Sequence, residues 1–368
     1  MSHSSLKKRA LEARRARALA LVQVALDAVD SRRATEKAIA RLRGQISLDG
    51  CTLFAFGKAA LPMSEAALSL LSVKRGRVHC FESGRRGPLT LVRSAHPFPA
   101  PDAAAQGAET LALARSLSAS DVALCLISGG GSSMLEAPRP GISIEQIRAE
   151  SARLMAAGAD IVELNQHRRR LSLVKGGGLS EALAPATVVN IILSDTPGAP
   201  LETVASGPSF PAAITEVAAD HLTMKSAVLA AAPELRSIDT LIAGEAREAG
   251  RSFAALEPGF VATGESTVTV RGSGRGGRNH ELILGAVDTW RRGEAPCRGL
   301  LLSIGSDGID GSSDAAGAWC DAGLLENAPD PSDAFRENDA HHYFKGLGAQ
   351  VYTGATGTNV ADLVISLP

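Results

Sequence analysis

Residues 122–135 read VALCLISGGGSSML. The run from Val122 to Ile127 is apolar throughout, the pattern of a central strand in a parallel sheet covered on both faces. It ends in Ser128, three glycines and two serines before apolar residues resume at Met134. Consecutive glycines are costly to order, so a bare backbone has a use at this loop. A plain strand-to-helix turn would take Ser132 or Ser133 as its N-cap and would not call for three glycines. A nucleophile elbow reads G-x-S-x-G, but the fifth position here is Met134. A Walker A loop runs on into Gly-Lys-Ser/Thr, and this loop does not. What remains is an anion cradle at a helix start, made by Gly129, Gly130, Gly131, Ser132 and Ser133.

Outward from this strand, β-branched-rich runs at 52–56, 77–81, 89–92 and 188–193 alternate with helical stretches at 59–71, 102–117, 144–157 and 160–174. The alternation predicts an α/β fold with a mostly parallel, Rossmann-like sheet. Composition shifts near 207–213 and 232–237, and a second set of elements follows. These are a strand around Leu241, a helix to about Leu256, a strand over STVTVRG, a helix from Asn279, the strand LLLSIGSDG and a closing strand after glycine turns. The expected domains are 1–235 and a smaller α/β domain at 236–368, with the boundary inside 209–260.

The 368 residues are 45% apolar and 21% charged, ordinary for a globular protein. A net charge of −1 gives no general attraction for nucleic acid, and no apolar run approaches the ~18 residues of a membrane span. Cys51, Cys80, Cys125, Cys297 and Cys320 form no CxxC pair. Most sit in or beside apolar runs, which points to free thiols in a reducing compartment, the cytoplasm. The basic N-terminus places Leu19, Val22, Leu26 and Val29 at helical spacing. That reads as an amphipathic helix of the fold rather than a transit peptide.

In an open α/β sheet, ligands bind beyond the carboxyl ends of the strands. Lys58 follows a strand and opens a helix, against the helix dipole at a cost of about 0.3–1 kcal/mol. A bound phosphate or carboxylate removes that conflict. Ser194 and Asp195 also stand at a strand end, as do Asp307, Asp310 and Asp314. The last three suit turn capping and Mg²⁺ binding equally well. His79, His96, His341 and His342 lack zinc spacing and read as surface or loop residues. Gly272, Gly274 and Gly277 match G-x-G-x-x-G after a predicted strand, which keeps a dinucleotide reading open. That fingerprint wants an acid about 20 residues on, and Asp307 comes too late. Arg271, Arg275 and Arg278 in the same loop suit a polyphosphate grip better.

Taken together, GKAA, SAHPFPAPD, LISGGGSSMLEAP, GADIVELNQHRRRLSLVKGGGL, LSDTPG, ASGP, GESTVTVRGSGRGGRNHELIL, SDGIDGSSDAAGAW and YTGATGTNVADLVI, in this order, resemble the class II glycerate kinases, the MOFRL family. Similar proteins also carry the label hydroxypyruvate reductase. The resemblance implies two α/β domains with an active site in the cleft between them, and ATP-dependent phosphorylation of D-glycerate to 2-phosphoglycerate with Mg²⁺ or another divalent cation. It implies catalytic roles for Lys58 and Arg278, and we add Asp195. Nucleotide contacts are expected from Gly129–Ser133, Gly274, Arg275, Gly276, Gly277 and Asn359, and metal contacts from Asp195, Asp307 and Asp310. The alternatives are an NAD(P)H-dependent hydroxypyruvate reductase and a non-catalytic small-molecule binding protein. A homo-oligomer stays open. The chain departs from the family at Ala95 and Thr263, where glycine is usual, and at Arg275, where lysine is common; it is also short across 209–260.

Overall fold

The computed structural model describes residues 3–156 and 161–368. Two predicted helix ends, Ala157 and Asp160, lie outside the described residues. Contacts divide the chain into two units. Helix α1 (His3–Ala28) groups with His221–Thr356 and Val360–Pro368, whereas Asp30–Asp220 and Gly357–Asn359 form the other unit. The apolar stripe of α1 is real but turned from the expected one. Ala18, Leu21, Val22, Ala25, Leu26 and Val29 are buried, and Leu19 stands outside at 47% exposure.

The unit spanning Asp30–Asp220 carries helices α2 (Ser31–Leu42), α3 (Ala60–Leu70), α4 (Ala103–Arg115), α5 (Gly131–Met134), α6 (Ile144–Ala156), α7 (Ile161–Leu171) and α8 (Gly178–Leu183). Its strands are β1 (Thr52–Phe56), β2 (Arg75–Cys80), β3 (Gly84–Arg86), β4 (Leu89–Arg93), β5 (Val122–Ser128), β6 (Thr187–Leu193) and β7 (Ile214–Ala219). They form one sheet in the order β3-β4-β2-β1-β5-β6-β7. Every pairing is parallel except the β3–β4 hairpin. The apolar run that reads as a central strand is one: β5 lies between β1 and β6, and only Val122 at its start escapes full burial.

The order of these strands decides where a ligand can enter. From β1 the chain moves outward to β2 and β4, then returns to the other side of β1 as β5. The two directions part between β1 and β5, a topological switch point whose crevice lies at the carboxyl ends of the strands. Lys58 follows β1 and Gly129–Gly131 follow β5, so both predicted loops flank that crevice.

The other unit adds α9 (His221–Ala231), β8 (Arg236–Ser237), α10 (Ala246–Ala254), β9 (Phe260–Gly264), α11 (Arg278–Arg291), β10 (Leu300–Gly305), β11 (Gly317–Asp321), α12 (Ala322–Leu325), α13 (Ser332–Glu337), α14 (Ala340–Gly346), β12 (Gln350–Val351) and β13 (Asp362–Leu367). Its sheet runs β12-β11-β10-β13-β9-β8. All its pairs are antiparallel except β8–β9. Phe260, Leu282, Ile283, Val287, Phe344 and Val364 centre its core.

Two expected strands are absent. Near Leu241 there is only an isolated bridge from Ile242 to Gly264, and STVTVRG keeps only a bridge from Thr267 to Glu245. Side chains take the place of a ladder there. Glu245 accepts from Thr269 N at 3.1 Å and Thr269 Oγ1 at 2.9 Å, and Asn338 Oδ1 accepts from Arg271 N at 2.7 Å and Gly272 N at 2.9 Å. Alternating β-branched residues predict a strand only where a neighbouring strand is free to pair, and here Val270 is 73% exposed.

Candidate functional site

The loops after β1 and β5 are stitched together. Lys58 N donates to Gly129 O at 2.8 Å, and Ala59 N donates to Ser128 Oγ at 3.0 Å. Each glycine of the triplet faces something a side chain would displace. A Cβ on Gly129 would collide with the Asp195 carboxylate. On Gly130 it would fall 3.1 Å from Lys58 Cγ and 3.2 Å from His96 Nδ1, and on Gly131 2.8 Å from Ala205 Cβ. Gly130 also sits at φ 81°, left-handed backbone that favours glycine. The triple glycine therefore lets Lys58, His96 and Asp195 close in on the end of β5. Helix α5 beyond it is a single turn.

Around this loop polar groups converge. His96 Nδ1 lies 3.1 Å from Ser133 Oγ, which donates to Gly130 O at 3.1 Å. Ser132 Oγ and Ser206 Oγ are 2.8 Å apart, and Arg168 Nη1 donates to Ser132 Oγ at 3.3 Å. Burial pushes the His96 imidazole down to about 4, helped by the charges of Lys58 and Arg168. At neutral pH it is a neutral hydrogen-bonding group beside two cations. Behind Ser133, Glu136 and Lys175 form an ion pair with side chains 1% and 0% exposed. Burial draws the Lys175 ammonium below its ordinary value against the pull of Glu136.

The surface-or-loop expectation holds for two of the four histidines, His96 and His342, and is corrected for His79 and His341. His96 is exposed over part of its surface, with its Nδ1 side packed on the loop cluster, and His79 is buried with Nε2 2.8 Å from Thr110 Oγ1. His341 is also fully buried, so of the four only His96 and His342 are exposed. Arg168, Glu136, Lys175 and Ser206 were not singled out from the sequence, and His96 was read only as a surface or loop residue. The signals for His96 and Arg168, AHP and HRRR, are short and carry no spacing that separates a lining residue from a surface one.

In the other unit, Arg278 opens α11. Its Nε and Nη2 donate to the two oxygens of Asp362 at 2.6 and 3.0 Å, and Nη1 donates to Glu265. Burial works against the charge on Arg278, but the Asp362 and Glu265 carboxylates outweigh it and hold the guanidinium above its ordinary value. Burial pushes Asp362 up to about 7 despite Arg278. Asn279 Nδ2 donates to Asp362 at 3.0 Å and accepts, through Oδ1, from Ser303 Oγ at 2.6 Å.

The glycines of GSGRGG, the loop read as a polyphosphate grip, pack closely against the protein's own chain. Side chains on Gly272 and Gly274 would run into Glu337 and Asp339, and one on Gly277 into Asp310 and Gly311. Gly274 N donates to Glu337 O at 2.7 Å, Arg275 N to Asp339 Oδ1 at 2.9 Å and Gly276 N to Ser312 Oγ at 3.2 Å. The protein's own chain thus takes up these amides. Arg275 donates from Nε and Nη2 to Ser312 O at 3.2 and 2.9 Å. No strand leads directly into the glycines, so the dinucleotide fingerprint lacks its structural context.

Of the three expected metal ligands, Asp310 does not fit. Its carboxylate is 2% exposed and accepts from Asn279 N at 3.0 Å, His280 N at 2.8 Å, Asn279 Nδ2 at 3.2 Å and His280 Nδ1 at 2.5 Å. It ties down the start of α11. Asp307 is half-buried and accepts from Ile309 N at 3.1 Å. Asp195, half-buried against Gly129, is the carboxylate beside the triple-glycine loop. Among the described residues no group of three or more His, Cys, Asp or Glu side chains is arranged to hold a metal ion. Asn359 is half-buried between the last glycine turns and β13.

These features define a class: a two-unit α/β protein whose parallel sheet carries cations, hydroxyls and one carboxylate around the glycine loop at its switch point. More particularly, the chain belongs to the MOFRL family, which its residues 259–362 match, while residues 17–238 match a domain of unknown function, DUF4147. It is 33% identical to the D-glycerate 2-kinase of Thermotoga maritima over 99% of this chain and 98% of that one. A crystal structure of the Thermotoga maritima glycerate kinase superposes with a TM-score of 0.85 at 31% identity, covering 99% of this chain and all of the other. A glycerate 2-kinase of Pyrococcus horikoshii is 28% identical over 95% of this chain and 96% of its own. One relative, from Agrobacterium vitis, 30% identical over 85% of this chain and 98% of its own, carries only a provisional hydroxypyruvate reductase label. No helix among the described residues is long and apolar enough to cross a membrane.

Proposed function

We infer that the chain is a glycerate 2-kinase, transferring the γ-phosphoryl group of ATP to the 2-hydroxyl of D-glycerate. The observation that carries the reading is the Lys58–His96–Arg168 cluster on the Gly129–Ser133 loop. It stands at the switch point of a chain similar over its whole length to a D-glycerate 2-kinase. The 2-position and the D-isomer are taken from that relative's name. The reductase reading loses support from the missing strand before Gly272.

Phosphoryl transfer asks the protein mainly for positioning and charge neutralisation. In this reading Lys58 meets a phosphoryl oxygen at the start of α3, where ligand charge removes its conflict with the helix dipole. Ser132 and Ser133 supply hydroxyl donors. Arg278, held charged by Asp362 and Glu265, is the second catalytic cation, and Arg275 and Asn359 contribute to nucleotide binding. A divalent cation arriving with the nucleotide would neutralise phosphate charge, and Asp195 is the carboxylate we assign to it. The five free cysteines support a reducing compartment, the cytoplasm.

The test is ADP formation by the purified protein with ATP and Mg²⁺, with and without D-glycerate. Turnover that depends on D-glycerate is expected. Oxidation of NADH or NADPH by hydroxypyruvate without ATP would instead establish the reductase. Lys58→Ala and Arg278→Ala should each lower kcat/KM by roughly a hundredfold or more, the scale of losing one charged transition-state contact. Near-wild-type turnover in both variants would overturn these two assignments.

A further inference from the structure

Arg168 stands apart from the ion pairs around it. It projects from α7, half-buried, and its hydrogen-bond partner among the described residues is a neutral hydroxyl, Ser132 Oγ. The nearby carboxylate is already committed. Glu136 Oε1 accepts from Ala137 N at 2.9 Å, and Oε2 accepts from Lys175 Nζ. Glu136 and Lys175 cancel each other in direct contact, which leaves the Arg168 charge facing a hydroxyl. A guanidinium cannot shed its proton. A half-buried one whose remaining donors have no hydrogen-bond partner among the described residues therefore favours an arriving anion.

The neighbouring hydroxyls are held with effort. Ser132 is positioned by Ser206, and Ala205 and Ser206 occupy left-handed backbone at φ 54° and 65°. That conformation is disfavoured for a residue with a Cβ, whose side chain crowds the following carbonyl. It is kept at the position where Ala205 packs against Gly131. Strain of this kind collects at ligand-binding sites.

Resting on the kinase reading, we propose that Arg168, with Ser132 and Ser206, forms the subsite that takes the carboxylate of the acceptor, and so makes the enzyme select small hydroxy acids over neutral polyols. A planar guanidinium pairs with a carboxylate through two parallel hydrogen bonds. One cation among neutral hydroxyls matches a singly charged group. Lys58, opening α3, is better suited to the more highly charged phosphoryl group.

The experiment compares steady-state kinetics of wild type, Arg168→Ala, Arg168→Lys and Arg169→Ala, with D-glycerate and glycerol as alternative acceptors. Arg169, exposed on the same helix, is the control. Arg168→Ala should raise the KM for D-glycerate roughly tenfold to a hundredfold, the worth of charged hydrogen bonds, with the KM for ATP little changed. The preference for D-glycerate over glycerol should shrink by the same factor, Arg168→Lys should recover part of it, and Arg169→Ala should match wild type. A raised KM for ATP with an unchanged KM for D-glycerate, or equal losses on both acceptors, overturns the subsite. Wild-type turnover of D-glycerate tests the kinase reading separately, and its absence overturns both. If the alanine variant melts early, Arg168→Lys carries the same comparison.

Discussion

His96 shows how one residue's surroundings set its chemistry. Burial, together with Lys58 and Arg168, moves its imidazole from an ordinary 6.5 to about 4. The folded protein therefore prefers His96 neutral. Its contribution to stability is complete above about 6.5 and is lost as the pH falls toward 4, because the unfolded chain takes up the proton first. Denaturant midpoints measured between pH 7 and pH 4.5 should fall with acid, and by less in His96→Gln. Equal falls in the two proteins would show that His96 is not the group responsible. Lys58 was legible in the sequence because a cation at a helix start is electrostatically misplaced without a ligand. Arg168 was not, because three successive arginines give no hint of which one turns inward. In the structure Arg169 and Arg170 are exposed and only Arg168 is half-buried.

At the scale of elements, strands of the parallel sheet were readable because burial on both faces leaves an unbroken apolar run. Thus β1 falls at the expected residues, and β2, β4, β5 and β6 differ only by a residue or two at their ends. STVTVRG was misread because its pattern matches a strand while Glu245 and Asn338 satisfy its backbone instead. The start of α11 shows the same substitution of side chain for backbone. Asp310, far away in sequence, accepts the amides of Asn279 and His280 as a remote cap. Removing it leaves buried donors unpaired and the helix dipole uncovered. Asp310→Ala should therefore destabilise the protein by about 3 kcal/mol, measured by equilibrium denaturation. It should leave the Mg²⁺ concentration for half-maximal turnover unchanged, because Asp310 serves the helix rather than the metal. A raised Mg²⁺ requirement with intact stability would return Asp310 to the metal site.

On the scale of the whole molecule, chain order and spatial grouping part company at the first helix. Sequence periodicity showed that α1 is amphipathic, but periodicity names no partner for a buried face. The structure gives α1 to the unit built on β8–β13 rather than to the sheet that follows it in sequence. Arg15 donates from Nε and Nη2 to Asp321 at 2.9 and 3.1 Å, and Asp321 is fully buried. The Arg15 guanidinium also lies 4.2 Å from the centre of the Trp319 ring, and Arg17 pairs with Glu234 beyond α9. Taking α1 away leaves the Asp321 carboxylate without its cation, a loss of about 3–5 kcal/mol for a broken buried pair, and uncovers the face of α9 that packs against α1. Deletion of residues 1–28 should therefore speed hydrogen exchange in peptides covering α9, β10 and β11, while β1, β5 and β6 keep their protection. Faster exchange confined to the seven-stranded sheet would mean that α1 stabilises its sequence neighbour, contrary to the contacts that hold Arg15 and Arg17.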